Sequence, residues 1–191
     1  MTSSAKTNLV SIGVDVGSVN GALSVVSEDG NVLLLTKTPT YQTEIKTKRN
    51  KSKLNKETGK YEANFRKRNW VDFKKLRELL EPFEKYNKIY TIERITARSN
   101  EGEAASFSNG NSLGVFQGLY VYLNPQEFYD PSPKEWKKAL GLSAIKEDSI
   151  KLAEDIYQVN LKDYLKKGKT DDIAEALLLA FYGLKRHYER K

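Results

Sequence analysis

A mixed α/β fold, one five-stranded sheet flanked by helices, is what the sequence predicts. Two observations carry the prediction. The first 37 residues hold runs rich in β-branched and aliphatic residues with tight-turn residues between them, the mark of antiparallel strands. Beyond residue 70, helical and strand periodicities alternate, as they do where strands are joined through helices that pack on a sheet.

Taken in order, "LVSIGVDV" alternates, with Val10, Ile12, Val14 and Val16 on one face, and reads as a strand. "NGALSVVSEDGNVLLLTK" places two β-rich runs around "EDGN", a hairpin signal. Residues 41–70 show no clear period and few apolar residues, so a long excursion that stays out of the core is expected. "VDFKKLRELLEPF" restores helical spacing, with Phe73, Leu76, Leu80 and Phe83 on one stripe. "KIYTIE" reads as a buried strand ending in Glu93, "RSNEGEAASFSNGN" as a polar loop, and "SLGVFQGLYVYL" as a buried helix. "EFYD" is a short strand. "SPKEWKKAL" begins a helix with Ser132 as cap and Pro133 in the first turn. "KEDSIKLAEDIY" is another helix, and the last begins at Asp171. One domain over 1–191 is expected, with a basic insertion at about 41–70.

Composition removes several chemistries. The chain has no Cys, which excludes disulfides, thiolate metal sites and cysteine nucleophiles and suits a reducing compartment. Its one His, His187, sits near the end of the last helix, where a surface role near the helix C-terminus is expected. No run approaches the roughly 18 apolar residues of a membrane span, and "MTSSAKTNLV" lacks the apolar centre of a signal peptide. A cytoplasmic protein with no membrane partner is expected. The formal net charge is +7, and residues 41–70, with ten basic residues against three acidic ones, account for all of it. So concentrated an excess favours a polyanionic partner, most often nucleic acid.

Carboxylates supply the candidate site. "KTDDIAEALLLA" opens an otherwise apolar helix with Asp171, Asp172 and Glu175. Capping by Thr170 and the helix dipole would account for one or two acids there. Three are more than that, and residues three and four apart share a face, so Glu175 lies beside both aspartates. Asp15 falls near the end of the first strand, with the small residues Ser11 and Gly13 on its face, which leaves room for a ligand. Glu93 ends the strand of "KIYTIE". Acids at the ends of two buried strands and at the head of a helix converge where ligands gather in α/β sheets. A cation between them would offset their repulsion, and carboxylate oxygens without His or Cys suit Mg2+ or Mn2+.

The blocks "IGVDVGSVNGALSVV", "YTIERITARSNEGEAASFSNGNSLGVFQGL", "PSPKEWKKALGL" and "KTDDIAEALLLAFY", in that order, resemble the RuvC-type Holliday junction resolvases, above all the versions carried by phages and related elements. The resemblance spans about 9–37 and 71–186. It implies a ribonuclease H-like fold and a Mg2+-dependent homodimer that cuts opposed strands of a four-way DNA junction, in the cytoplasm of a bacterial or phage-infected cell. The family's acids fall on Asp15 and Glu93. Its pair on the last helix, three residues apart, falls on Asp172 and Glu175, with Asp171 a rival at an offset of four. Its supporting lysines fall on Lys137 and Lys146. Bacterial members carry an aromatic residue three after the Glu that wedges into the junction; here that position is Thr96.

Four acids are enough to hold two ions about 3.5–4 Å apart, with Asp15 bridging them and Lys137 or Lys146 offsetting charge on the phosphate. Such a reaction leaves a 5′ phosphate and a 3′ hydroxyl. In the basic stretch, Lys46, Lys48, Arg49, Lys51 and Lys53 would meet one run of phosphates and Arg66, Lys67 and Arg68 another, with Tyr41, Tyr61, Phe65 and Trp70 interleaved for stacking. Arg98, Lys134 and Lys138 complete the expected DNA contacts. "GVDVGS" also resembles the first phosphate loop of actin-like ATPases and sugar kinases, but those carry two such domains, more than 191 residues hold. A non-catalytic DNA-binding relative would have lost acids, and none is lost here. A nuclease of the same fold acting on other branched DNA or on RNA–DNA hybrid remains an open alternative.

Overall fold

The structure is a computed structural model and describes residues 8–46, 57, 59, 65–96, 102–165 and 170–191. Strands β1 (Leu9–Asp15), β2 (Ala22–Ser27) and β3 (Val32–Lys37) form the expected antiparallel meander. β4 (Thr40–Lys46) and β5 (Phe65–Val71) follow, then α1 (Phe73–Leu80), β6 (Asn87–Ile92), α2 (Glu103–Leu123), β7 (Glu127–Tyr129), α3 (Pro133–Ala139), α4 (Lys146–Tyr157) and α5 (Asp171–Glu189). The main sheet has the order β3-β2-β1-β6-β7, with β6 parallel to β1 and β7 parallel to β6. The mixed five-stranded sheet read from the sequence is therefore the observed one.

Alternation along β1 explains the layers. Val10, Ile12 and Val14 point to one face, where they pack with Leu76 and Leu80 of α1 and with Phe116 and Leu119 of α2. The other face carries Ser11, Gly13 and Asp15 and is covered by α5, whose Ile173, Leu177 and Ala180 are fully buried. Burying one such Leu contributes about 1.5–3 kcal/mol.

Contact between α5 and the sheet corrects one expectation. Ser11 and Gly13 leave room for a helix, not for a ligand. A Cβ on Gly13 would lie 2.0 Å from the carbonyl oxygen of Ala176, and one on Gly183 would lie 2.4 Å from Thr91 Oγ1. The serine hydroxyls bond the helix directly: Ser11 Oγ donates to the Ala180 carbonyl (2.8 Å) and Ser24 Oγ to that of Ala176 (2.9 Å). Close approach of α5 to β1 carries its first turn to the level of Asp15.

Two further expectations are corrected. Helix α2 begins at Glu103, nine residues before the predicted "SLGVFQGLYVYL", and only Ser112, Phe116, Leu119 and Leu123 along it are buried. Its first two turns are polar because they face water, and an exposed polar helix has the composition of a loop. Residues 41–70 contain regular structure at both ends. β4 and β5 pair antiparallel from Thr40↔Val71 to Lys46↔Phe65 as a two-stranded ribbon beside the main sheet. Cross-strand hydrogen bonds hold it, from Trp70 Nε1 to Thr43 Oγ1 (2.7 Å) and between Gln42 and Asn69 (2.9 Å). Because much of the ribbon is exposed, its strands lack the apolar alternation that marks a half-buried strand. Lys48, Arg49, Lys51, Lys53, Tyr61 and Arg98 lie outside the described residues.

Candidate active site

Three elements bring four acids to one edge of the sheet. Asp15 is the last residue of β1, and Glu93 follows β6, its amide donating to the Val14 carbonyl (3.1 Å). Parallel pairing of β1 with β6 sets both acids at the carboxyl ends of neighbouring strands. Asp172 and Glu175 come from the first turns of α5, which close packing on Gly13 holds above β1. The helix begins without a side-chain cap: the Thr170 hydroxyl makes no capping hydrogen bond.

Asp15 is the centre of the group. It is 9 % exposed, and its carboxyl is raised well above the ordinary carboxylate range, first by burial and then by the charges of Glu93, Glu175 and Asp172. Lys37 opposes the shift and does not cancel it. Each of the other acids is held by a neighbour. Trp136 Nε1 donates to Glu93 Oε1 (2.9 Å), Lys137 to Glu175 (2.8 Å) and Lys37 to Asp172. Asp171 turns elsewhere. It is buried, and burial would raise its carboxyl, but the hydrogen bond and charge of Lys146 outweigh that and hold it low. Among the described residues its other oxygen is buried without a partner.

Among the described residues, no three acids are drawn closely enough together to hold an ion as they stand, since lysines and Trp136 occupy their oxygens. The donor set nonetheless fits a hard divalent cation. Four carboxylates with no softer ligand meet two ammonium groups, and the carboxyl of Asp15 is raised first by burial and then by the neighbouring acids, with Lys37 opposing the shift only in part.

Two site residues escaped sequence reasoning. Lys37, at the end of β3, was read only as strand, because no spacing links it to an acid 135 residues away. Trp136 was read as part of a helix; its indole is fully buried with its one donor on Glu93, as a buried Trp requires. Of the expected DNA contacts, Lys134 and Lys138 are exposed on α3, on either side of Lys137, and Lys46, Arg66 and Lys67 are exposed on the ribbon. Arg68 is half-buried against Trp70. Lys137 and Lys146 face the acids of α5. His187, expected at the surface, is instead buried, its Nδ1 on Glu127 of β7.

Sheet order, flanking helices and acids at the ends of β1 and β6 together define a ribonuclease H-like fold. Within it, the chain is similar to Thermus thermophilus RuvC in complex with a Holliday junction substrate, at 18% identity and a TM-score of 0.58 over 95% of both chains. It is also similar to a second Thermus thermophilus RuvC structure, at 16% identity and a TM-score of 0.51 over 94% of this chain and 96% of that one. The resemblance read from the four sequence blocks thus holds at the level of the fold. No protein-family model and no curated protein sequence matches the chain. No described helix is long and apolar enough to cross a membrane.

Proposed function

We propose that the protein is a structure-selective DNA endonuclease that resolves four-way junctions by metal-dependent phosphodiester hydrolysis, leaving a 5′ phosphate and a 3′ hydroxyl. The observation that carries the reading is the convergence of Asp15, Glu93, Asp172 and Glu175 on one edge, with Asp15 buried among the other three acids. Asp15, Glu93, Asp172 and Glu175 would hold Mg2+, or Mn2+ in its place. The bound metal supplies an activated water and a counter-charge for the leaving oxygen. Lys137 and Lys37 hold Glu175 and Asp172 in place before substrate arrives. Either ammonium would offset charge on a phosphate bound at these acids. Trp136 fixes the rotamer of Glu93. Lys146 anchors Asp171, while Asp172 acts on Asp15 together with Glu93 and Glu175, so Asp172 is taken as the ligand and Asp171 as the support.

A homodimer belongs to the proposal, because paired cuts in a two-fold junction need two sites related by symmetry. Helix α2 supports it. Gly110, Gly114 and Gly118 form an exposed stripe with open space around each, continued by Val121 at 73% exposure. Glycine inside an exposed helix costs about 1 kcal/mol relative to alanine, a cost that close approach of a second helix would offset. Light scattering of the protein alone and with junction is expected to give a dimer; a monomer in both states contradicts it.

The function is tested by a cleavage panel of four-way junction, three-way junction, flap, linear duplex and RNA–DNA hybrid, each with Mg2+. Paired nicks in the four-way junction are expected. Cleavage of the hybrid or of another branch in preference to the junction would replace this reading with the same-fold alternative.

A further inference from the structure

A groove of about 290 Å3 separates the β4–β5 ribbon from the start of α2, lined among others by Ser18, Arg66, Lys67, Arg68 and Ser108. Among the described residues, its walls carry three cations and no acid. Phe107, between the lining residues Ala105 and Ser108 on α2, is 56% exposed. An exposed aromatic is ordinarily free to turn, but this one is held. The Arg68 guanidinium lies 5.1 Å from its ring centre and 5.4 Å from that of Trp70, and Trp70 meets Phe107 edge-on at 6.2 Å. Trp70 is fixed in turn by its bond to Thr43 on the paired strand. The ribbon therefore clamps one side of Phe107 and leaves another in water.

We propose that this groove binds an unpaired DNA strand running to the carboxylate pocket, with a base stacked on Phe107 and phosphates on Arg66 and Lys67. A held aromatic beside a basic wall is the arrangement that takes single strands, since every base has a face to stack and every nucleotide a phosphate to pair. The groove also adjoins the acids. Ser18 and Ser108 share a hydrogen bond (3.1 Å), and their neighbours Val16 and Asn109 line the pocket that contains Glu93. A strand in the groove thus passes to Glu93 over a single pair of serines.

The inference rests on the nuclease reading only for its choice of DNA as occupant. The test is fluorescence anisotropy of labelled dT12 with full-length protein in EDTA, over a series of salt concentrations. Phe107→Ala is expected to weaken binding about tenfold or more, as loss of one stacked base does. Arg66→Ala with Lys67→Ala is expected to flatten the salt slope by about 1.4, at about 0.7 per phosphate of a single strand. Light scattering should show the oligomeric state of Phe107→Ala unchanged. Wild-type protein that fails to bind dT12, or variants that bind it with wild-type affinity and slope, overturns the groove. A Phe107→Ala variant whose assembly changes while its dT12 affinity does not also overturns it and assigns Phe107 to a protein interface. Junction cleavage by wild-type protein is measured in parallel. A protein that cuts the junction while its groove variants bind dT12 normally keeps the nuclease reading and loses the groove. One that binds dT12 through the groove and cuts nothing does the reverse.

Discussion

At the mouth of α5 each acid is tied to another element, whereas on β5 Arg66 and Lys67 stand exposed at the edge of a ribbon. In the first region, burial makes charge expensive, so every group needs a counter-charge and small displacements matter. In the second, water screens each cation, and many weak contacts add up to affinity. On the proposed reading the two regions divide the work, chemistry in the pocket and binding on the ribbon, and substitutions should separate them.

The sharpest separation comes from Glu93. Glu93→Gln should lower cleavage by about a thousandfold or more, because it removes a charged ligand from the site, while junction affinity holds or rises. A gel-shift assay in Ca2+ beside a single-turnover cleavage assay reads both; near wild-type cleavage would remove Glu93 from the chemistry. On α5, Asp172→Asn is expected to cost more activity than Asp171→Asn, because Asp172 adds to the charge around Asp15 while Asp171 turns to Lys146. The reverse order would make Asp171 the ligand.

Substitutions in the basic stretch should show the opposite profile. Lys48→Ala, Arg49→Ala and Lys51→Ala combined should weaken junction binding and flatten its salt dependence by roughly two to three units, at about 0.9 per phosphate of duplex. Cleavage of junction already bound should change little. Equal affinity and slope would leave the stretch without a role in DNA binding.

A smaller effect concerns stability. The folded protein holds the Asp15 proton more tightly than the unfolded chain does, so the stability this proton gives is full below the ordinary carboxylate pKa of about 3.9. It is lost as pH rises from there through the raised value. Metal-free Asp15→Asn, which carries no ionisable group at that position, should therefore melt above wild type at neutral pH, and the gap should close toward about pH 4. Calorimetric melting across that range measures it; a variant less stable than wild type at neutral pH would mean that ionised Asp15 is satisfied in the fold.

The same contrast explains what could be read from the sequence. Acids are conspicuous at the end of a strand or the head of an apolar helix, so residue type and place pick out Asp15, Glu93, Asp172 and Glu175 as candidates, and the fold brings them to one edge. The three-stranded opening and the five-stranded sheet were legible from period and turns. Partners supplied by tertiary packing were not, because Lys37 and Trp136 meet their acids across 135 and 43 residues. Ser11 and Gly13 were legible as small, but smallness does not say whether a ligand or a helix fills the space. The ribbon and the first turns of α2 were hidden for one reason: an exposed strand or helix has no apolar period to show.

The central claim is that Asp15 anchors a metal-dependent junction nuclease. It is tested most directly by mapping the ends produced from a labelled four-way junction by wild-type protein and by Asp15→Asn, in Mg2+ and in EDTA. The account predicts symmetric nicks with 5′ phosphate and 3′ hydroxyl from wild type in Mg2+ and none in the other three reactions. Nicking by Asp15→Asn at a rate near wild type, or equal nicking in EDTA, would contradict it.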